Sequence, residues 1–284
     1  MVVRRIGVLG AGQMGAGIAQ VAARAGYEVA MRDIEMRFLD KGMAGITASL
    51  GKFVEKGKLT EAERAATLGR IRTTLSIADL ANADVIIEAV VEDRTLKRQV
   101  FAELDALCPS ETIFASNTSS ISITDLAGAT ARADRFVGMH FFNPVPIMTL
   151  VEVVRGLGTS DATANAITEL AVSLGKTPVE VRDFAGFVSN RILMPFLNEA
   201  FFALQEGIAA PKDIDTVAKL GFNHPMGPLE LADFIGLDTC LAVMEVLHTE
   251  FGDPKYRPAP LLREYVRAGR LGRKSGRGVY EYAR

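Results

Sequence analysis

The sequence has little cysteine, no excess charge of either sign and no long apolar run, and each shortage narrows the possible functions. The two cysteines, Cys108 and Cys240, stand far apart and fit no metal-ligand spacing, so we expect free thiols and no metal site. A net charge of −2 provides no overall basic field for nucleic acid or an anionic membrane. No stretch reaches the ~18 consecutive apolar residues of a membrane span, and the first residues lack an apolar signal region. These shortages predict a soluble, cytoplasmic protein without nucleic-acid or membrane partners.

The pattern of apolar residues changes once along the 284-residue chain. Through about residue 183, short β-branched runs alternate with helical patterns, which is typical of an α/β domain with a mostly parallel sheet. From residue 184 to 284 the pattern is helical, so we expect a second, all-helical domain there. The predicted strands are the runs RRIGVLG, EVAMRD, VIIEAV, TIFASN, RFVGMHFF, TLVEVVRG and TPVEVRD.

Residues 35–69 interrupt the strand–helix alternation of the first domain. A long helical pattern ends in a Gly-Lys turn, and a second pattern begins at Thr60 with Glu63 three residues later. Thr and Glu at this spacing form a capping box at a helix N-terminus. The segment therefore predicts a helical hairpin inserted after the second strand.

A glycine-rich turn joins the first predicted strand to the first helix. Gly10, Gly12 and Gly15 have G-x-G-x-x-G spacing. The first glycine permits a tight turn, the second lets the backbone approach a pyrophosphate, and the third lets helix and strand pack closely. The helix N-terminus adds unpaired N–H groups and a partial positive charge. The motif predicts a Rossmann-type dinucleotide-binding domain, with Gln13 and Met14 in the same loop.

Asp33 ends the second predicted strand, where an acidic residue selects between nicotinamide cofactors. Its carboxylate can bond both ribose hydroxyls and repel a 2′-phosphate, which favours NAD. Arg32 and Arg37 flank it, however, and a guanidinium there could accept a 2′-phosphate. We therefore expect NAD, with NADP possible.

His140 is the histidine best placed for chemistry, in the stretch MHFFNPVPIMTLVEVV. Oxidation of an alcohol by hydride transfer needs a base, and imidazole titrates near neutral pH. Glu152 lies in an apolar strand and needs a partner there, and His140 is a plausible one. Such a pair would orient the imidazole and stabilise its cation. A histidine bonded to backbone at a turn fits the same residues.

Several long motifs stand in order along the chain: GAGQMGAGIAQ, ASNTSSISIT, GMHFFNPVPIMTLVEVV, GFVSNRILMPFLNEA, DIDTVAKLGFNHPMGPLELADFIGLD and LGRKSGRGVYEY. Together they resemble the L-3-hydroxyacyl-CoA dehydrogenase family, most closely its short-chain bacterial members, over nearly the whole chain. The resemblance implies reversible NAD(P)-dependent oxidation of (3S)-3-hydroxybutyryl-CoA, or a similar short 3-hydroxyacyl-CoA, to acetoacetyl-CoA or its analogue. It also implies that residues 1–183 bind NAD and that residues 184–284 form a substrate and dimerisation domain of a homodimer.

The resemblance also implies roles for single residues. His140 matches the catalytic acid/base, Glu152 its orienting carboxylate, Ser119 a substrate contact and Asn190 the amide beside the reacting oxygen. Without the resemblance, Ser119 could merely cap a helix starting near Ser122, and Asn190 could be a packed polar residue. Further matched positions contact the cofactor (Asp33, Glu92, Lys97, Asn117, Asn143, Lys274) or coenzyme A (Ser49, Lys56).

Two other functions are compatible with the sequence. Related dehydrogenases act on sugar acids such as gulonate, although the HFFNP sequence after Met139 favours the acyl-CoA branch. A crystallin-like relative that binds a nucleotide without catalysis would share the glycine motif. The matched polar residues favour an enzyme.

Overall fold

The structure is a computed structural model that describes residues 2–282. It divides the chain into two compact units, with the boundary between Asp183 and Phe184. Each unit has its own buried apolar cluster. Within the described residues, no helix is long and apolar enough to cross a membrane.

An eight-stranded sheet forms the centre of the first unit, in the order β3-β2-β1-β4-β5-β6-β7-β8. All neighbouring strands are parallel except β6 and β7, which are antiparallel. The chain order reverses between β1 and β4, and ligands of open α/β sheets bind beside such a switch point, at the carboxyl ends of the strands. The strands are β1 Arg5–Leu9, β2 Glu28–Arg32, β3 Ile71–Thr74, β4 Val85–Glu88, β5 Ile113–Ser116, β6 Phe136–Phe141, β7 Leu150–Arg155 and β8 Thr177–Arg182.

Strand β3, with the sequence IRTT, is absent from the strands that the sequence predicts. Only its first residue, Ile71, is buried, because β3 lies at the edge of the sheet. The central strands β4 and β5 are buried at every position. A strand covered on both faces is a continuous apolar run, whereas an edge strand carries polar residues and gives a weaker signal.

Six helices pack with this sheet. The predicted hairpin is present as α2 and α3, and Thr60 and Glu63 form the capping box at the start of α3. Asp93 caps α4 through the Leu96 N–H, and Ser122 caps α5 through the Asp125 N–H. The helices are α1 Gln13–Arg24, α2 Met36–Glu55, α3 Glu61–Gly69, α4 Arg94–Leu107, α5 Ile123–Ala127 and α6 Asp161–Ser173.

The second unit is helical, apart from two isolated β-bridges near its end among the described residues. Its core gathers around α7, whose inner face includes Leu197 and Phe201. Asp233 holds the last described residues by accepting hydrogen bonds from the Val279 and Tyr280 N–H groups, both 2.9 Å long. The helices are α7 Ser189–Gln205, α8 Pro211–Gly221, α9 Pro228–Ile235, α10 Leu237–Phe251 and α11 Pro260–Arg267. The α/β sheet with a helical hairpin, followed by a helical unit, confirms the predicted fold class.

Candidate active site

The glycine-rich loop has the geometry that dinucleotide binding needs. Gly10 has φ +102°, and a Cβ there would lie 2.5 Å from the Ala89 carbonyl oxygen. A Cβ on Gly15 would overlap the Gly10 carbonyl oxygen, so α1 can approach β1 only with glycine at that position. At Gly12, by contrast, no atom lies within 4 Å of the Cβ position. The backbone is therefore open at the point where a pyrophosphate would approach.

The first turn of α1 is suited to an anion. Gly12 is its N-cap residue, and no side chain of the described residues caps it. The N-terminal N–H groups of a helix then remain for a ligand, and the helix dipole favours negative charge there. Gln13 is exposed and Met14 half-buried in this turn. These residues fit the phosphates of NAD, and their part in binding it stays a prediction.

Asp33 lies beside the glycine loop. Its Oδ2 accepts a hydrogen bond from the Ala11 N–H (2.7 Å), and its Oδ1 accepts one from the Ile34 N–H (2.7 Å). Arg32 and Arg37, which could accept the 2′-phosphate of NADP, both have other partners. Arg32 donates to the Leu75 carbonyl (3.2 Å), and Arg37 pairs with Glu35 (2.8 Å). This arrangement favours NAD over NADP.

His140 and Glu152 lie directly opposite each other in the antiparallel pair β6–β7. Opposite residues in such a pair project from the same face of the sheet, so the register itself brings the two side chains together. The expected contact is present: His140 Nδ1 lies 2.8 Å from Glu152 Oε2. Both side chains are buried, with His140 7% and Glu152 2% exposed.

This pairing determines which ring nitrogen of His140 can exchange a proton. A carboxylate only accepts hydrogen bonds, so the proton of the neutral ring lies on Nδ1 and the lone pair on Nε2. Once Nε2 takes a proton, the buried carboxylate stabilises the imidazolium that results. The pair therefore has the geometry that a general base oriented by an acid would need in alcohol oxidation, and its part in catalysis stays a prediction.

Residues after β4 and β5 extend the site along the same edge of the sheet. Asn117 follows β5, and its Oδ1 accepts a hydrogen bond from the Phe141 N–H (2.9 Å), next to His140. Glu92 Oε1 accepts hydrogen bonds from the Thr118 hydroxyl (2.6 Å) and the Ser119 N–H (2.9 Å). Ser119 does not cap α5, because that position belongs to Ser122.

Glu92 remains ionised in this arrangement. Burial raises its pKa, but the Lys97 ammonium 3.3 Å away and the hydrogen bonds from Thr118 and Ser119 lower it more. The pKa of the Glu92 carboxyl therefore lies below its usual value. A carboxylate is thus fixed beside Ser119 at neutral pH.

The resemblance matches Lys97 to a cofactor contact, and the Lys97 side chain is buried in the structure. Its side chain is 1% exposed, and its Nζ lies 2.5 Å from Glu88 Oε1. Glu88 has no predicted role, although a signal for it exists in the sequence. It is the single charged residue in the apolar run VIIEAV, and a carboxylate in a buried strand requires a partner. Whether Lys97 contacts the cofactor stays a prediction.

Five other predicted positions are divided between the two units. In the first unit, Ser49 is half-buried on α2, Lys56 is exposed at the C-terminal end of α2, and Asn143 is exposed after β6. In the second unit, Asn190 is half-buried at the start of α7, and Lys274 Nζ pairs with Asp238 at 2.5 Å. The roles of these residues stay predictions.

The fold and the glycine loop together define a nicotinamide-dependent dehydrogenase. The first unit matches the family described as "3-hydroxyacyl-CoA dehydrogenase, NAD binding domain" over residues 5–184. The second matches "3-hydroxyacyl-CoA dehydrogenase, C-terminal domain" over residues 186–282. The chain belongs to the 3-hydroxyacyl-CoA dehydrogenase family, and NAD is its cofactor.

Individual relatives match this chain over all or nearly all of their own length. A probable 3-hydroxybutyryl-CoA dehydrogenase of Deinococcus radiodurans is 59% identical over 98% of this chain and 100% of its own. The 3-hydroxybutyryl-CoA dehydrogenase of Bradyrhizobium diazoefficiens is 52% identical over 99% of this chain and 96% of its own. The crystal structure of (S)-3-hydroxybutyryl-CoA dehydrogenase from Ralstonia eutropha superposes with a TM-score of 0.97, at 56% identity and 100% coverage of both chains.

Proposed function

We propose that this protein interconverts (3S)-3-hydroxybutyryl-CoA and acetoacetyl-CoA with NAD. The observation that carries the proposal is the His140–Glu152 pair, 2.8 Å apart, at the sheet edge where the glycine loop also lies. The substrate is supported by relatives named for it at 52–59% identity over nearly the whole chain. A role without catalysis is less well supported, because His140 and Glu152 have the contact that a base and its orienting acid would need. A sugar acid is less well supported, because the relatives are named for 3-hydroxybutyryl-CoA.

The residues of the first unit account for the proton transfer. The nicotinamide of NAD supplies the acceptor for the hydride when it is bound. His140 Nε2 takes the hydroxyl proton during oxidation and returns it to the carbonyl oxygen during reduction. Glu152 holds the ring by Nδ1 throughout and stabilises its charged form. Burial of both groups keeps competing water away and strengthens their interaction.

Ser119 is proposed to fix the substrate near this base. Its N–H and its hydroxyl both lie within hydrogen-bond distance of Glu92 Oε1, at 2.9 and 3.3 Å. A positioned hydroxyl of this kind can orient a substrate oxygen, and orientation contributes strongly to the rate. We propose that Ser49 and Lys56 of the helical hairpin contact coenzyme A, whose phosphates an exposed lysine can bind.

The proposed activity predicts rapid oxidation of NADH by acetoacetyl-CoA, followed as the loss of absorbance of the reduced nicotinamide. The kcat/KM with NADH should exceed that with NADPH, because the Asp33 carboxylate beside the glycine loop would repel a 2′-phosphate and both neighbouring arginines have other partners. Gulonate and NAD serve as the comparison pair. Turnover of gulonate without reduction of acetoacetyl-CoA would reverse the substrate assignment. Binding of NADH without turnover of any acyl-CoA would contradict the proposed catalytic activity.

We also propose that two copies of the chain associate through the second unit. Helix α8 exposes apolar side chains three residues apart, Val217 and Leu220, and Phe222 follows directly after it. Leu220 is 83% exposed. Contiguous exposed apolar side chains of this kind mark an interaction surface. We place the protein in the cytoplasm, which suits the two free cysteines.

Leu220→Glu should convert a dimer into a monomer, since a carboxylate placed on this face must be desolvated on association. Light scattering coupled to size-exclusion chromatography measures the change against a chain mass of 30.6 kDa. Leu157→Glu is the matched control, because Leu157 is 91% exposed in the first unit and should leave the mass unchanged. A Leu220→Glu variant that keeps the dimer mass contradicts this surface.

A further inference from the structure

A buried carboxylate, Glu88, joins three elements of the first unit at the edge of the sheet that carries the site. Glu88 ends β4 and is fully buried. Its Oε1 accepts hydrogen bonds from the Lys97 ammonium of α4 (2.5 Å) and the Val90 N–H (2.7 Å). Its Oε2 accepts one from the Ser116 hydroxyl of β5 (2.7 Å). Burial of a charge in an apolar strand is tolerated only with partners of this quality.

Lys97 extends the effect of Glu88 towards the surface. Its ammonium lies between two carboxylates, 2.5 Å from Glu88 and 3.3 Å from Glu92. The Glu92 side chain is 39% exposed, whereas Lys97 is 1% exposed. The Lys97 ammonium therefore fixes the position of the Glu92 carboxylate, which is partly exposed.

Glu92 in turn holds the segment that contains Ser119. The carboxylate accepts hydrogen bonds from the Thr118 hydroxyl and the Ser119 N–H, at 2.6 and 2.9 Å. On the other side of the same segment, Asn117 Oδ1 accepts from the Phe141 N–H at 2.9 Å, one residue after His140. The segment is thus tied to the ion pair on one side and to the strand of the base on the other.

We propose that Glu88 is a positioning residue for the reaction, which through Lys97 and Glu92 fixes Ser119 relative to His140. The inference rests on the proposed function, because Ser119 is the proposed substrate contact. A shift of the segment would move the substrate away from the base, and misplacement by about 1 Å can cost about 100-fold in rate.

The test compares a single with a double substitution in steady-state reduction of acetoacetyl-CoA by NADH. Glu88→Gln keeps the side-chain length but leaves the buried ammonium with Glu92 alone. It should lower kcat/KM for acetoacetyl-CoA about 10- to 100-fold and lower Tm by about 5–10 °C. Adding Lys97→Met removes the buried ammonium that has lost its nearer carboxylate, so Tm should recover. The kcat/KM should not recover, because Glu92 then has no lysine to hold it. In the single variant Glu88→Gln, the KM for NADH should stay within about threefold of wild type.

Asp105→Asn is the matched control for a buried ion pair elsewhere on the same helix. Asp105 Oδ1 lies 2.5 Å from Arg132 Nε, near the opposite end of α4, and its loss should lower Tm while leaving kcat/KM within about twofold. Recovery of both Tm and kcat/KM in the double variant would show that Glu88 is only structural and overturn the proposal. In Glu88→Gln, a loss confined to the KM for NADH would also overturn it, since Glu88 would then act on the cofactor site and not on Ser119. Wild-type protein that does not reduce acetoacetyl-CoA contradicts the proposed function instead.

Discussion

His140→Gln should lower kcat for acetoacetyl-CoA reduction by about 10²–10⁴-fold, the range that a positioned general acid or base contributes. Glutamine approximates the size of the ring but cannot take or release a proton near neutral pH. The loss should fall on kcat, because His140 Nε2 acts on the proton in the transition state. Steady-state kinetics with acetoacetyl-CoA and NADH measure it.

Cofactor binding should survive the same substitution. The glycine loop follows β1 and Asp33 follows β2, whereas His140 lies on β6. The Kd for NADH, from fluorescence titration, should therefore stay within about threefold of wild type. His248→Gln in α10 is the matched control and should retain full turnover. Near-wild-type kcat in His140→Gln would show that another group moves the proton.

The architecture is largely predictable from the sequence because its strongest signals come from buried elements. Central strands such as VIIEAV and the glycine loop between β1 and α1 are fixed by continuous apolar runs and by steric demands that few residues meet. The edge strand IRTT is missed because only Ile71 of it is buried. An edge strand depends on its one neighbour, β2, more than on its own pattern.

The candidate site is predictable only in part, because its residues are brought together by register and helix placement. The sequence indicates a partner for Glu152, but only the pairing of β6 with β7 shows that it lies opposite His140. The limit of prediction from the sequence is clearer at Glu88. Its partner Lys97 stands nine positions later, on a helix whose placement over β4 no local pattern specifies. A lone carboxylate in an apolar run therefore signals that a partner exists without identifying it.

Glu152→Gln should lower kcat by about 10²-fold or more while leaving the fold intact. The amide keeps the size of the side chain and can still accept a hydrogen bond from His140 Nδ1, but it no longer stabilises the imidazolium or fixes one ring tautomer. The Tm should change little, because removal of a buried charge beside a neutral imidazole leaves no unpaired ion behind. Glu180→Gln on the neighbouring strand β8 is the control, since Glu180 is exposed and should retain wild-type kinetics.

The double variant His140→Gln with Glu152→Gln tests whether Glu152 acts through His140. If the carboxylate only orients and stabilises that ring, adding Glu152→Gln to His140→Gln should lower kcat no further than His140→Gln alone. Additive losses in the double variant would mean that Glu152 acts on the substrate or the cofactor independently. The contact at 2.8 Å between two side chains that are both almost fully buried predicts the first result, because Glu152 Oε2 has the imidazole as its partner. A kcat within about threefold of wild type in the single Glu152→Gln variant would contradict the orienting role itself.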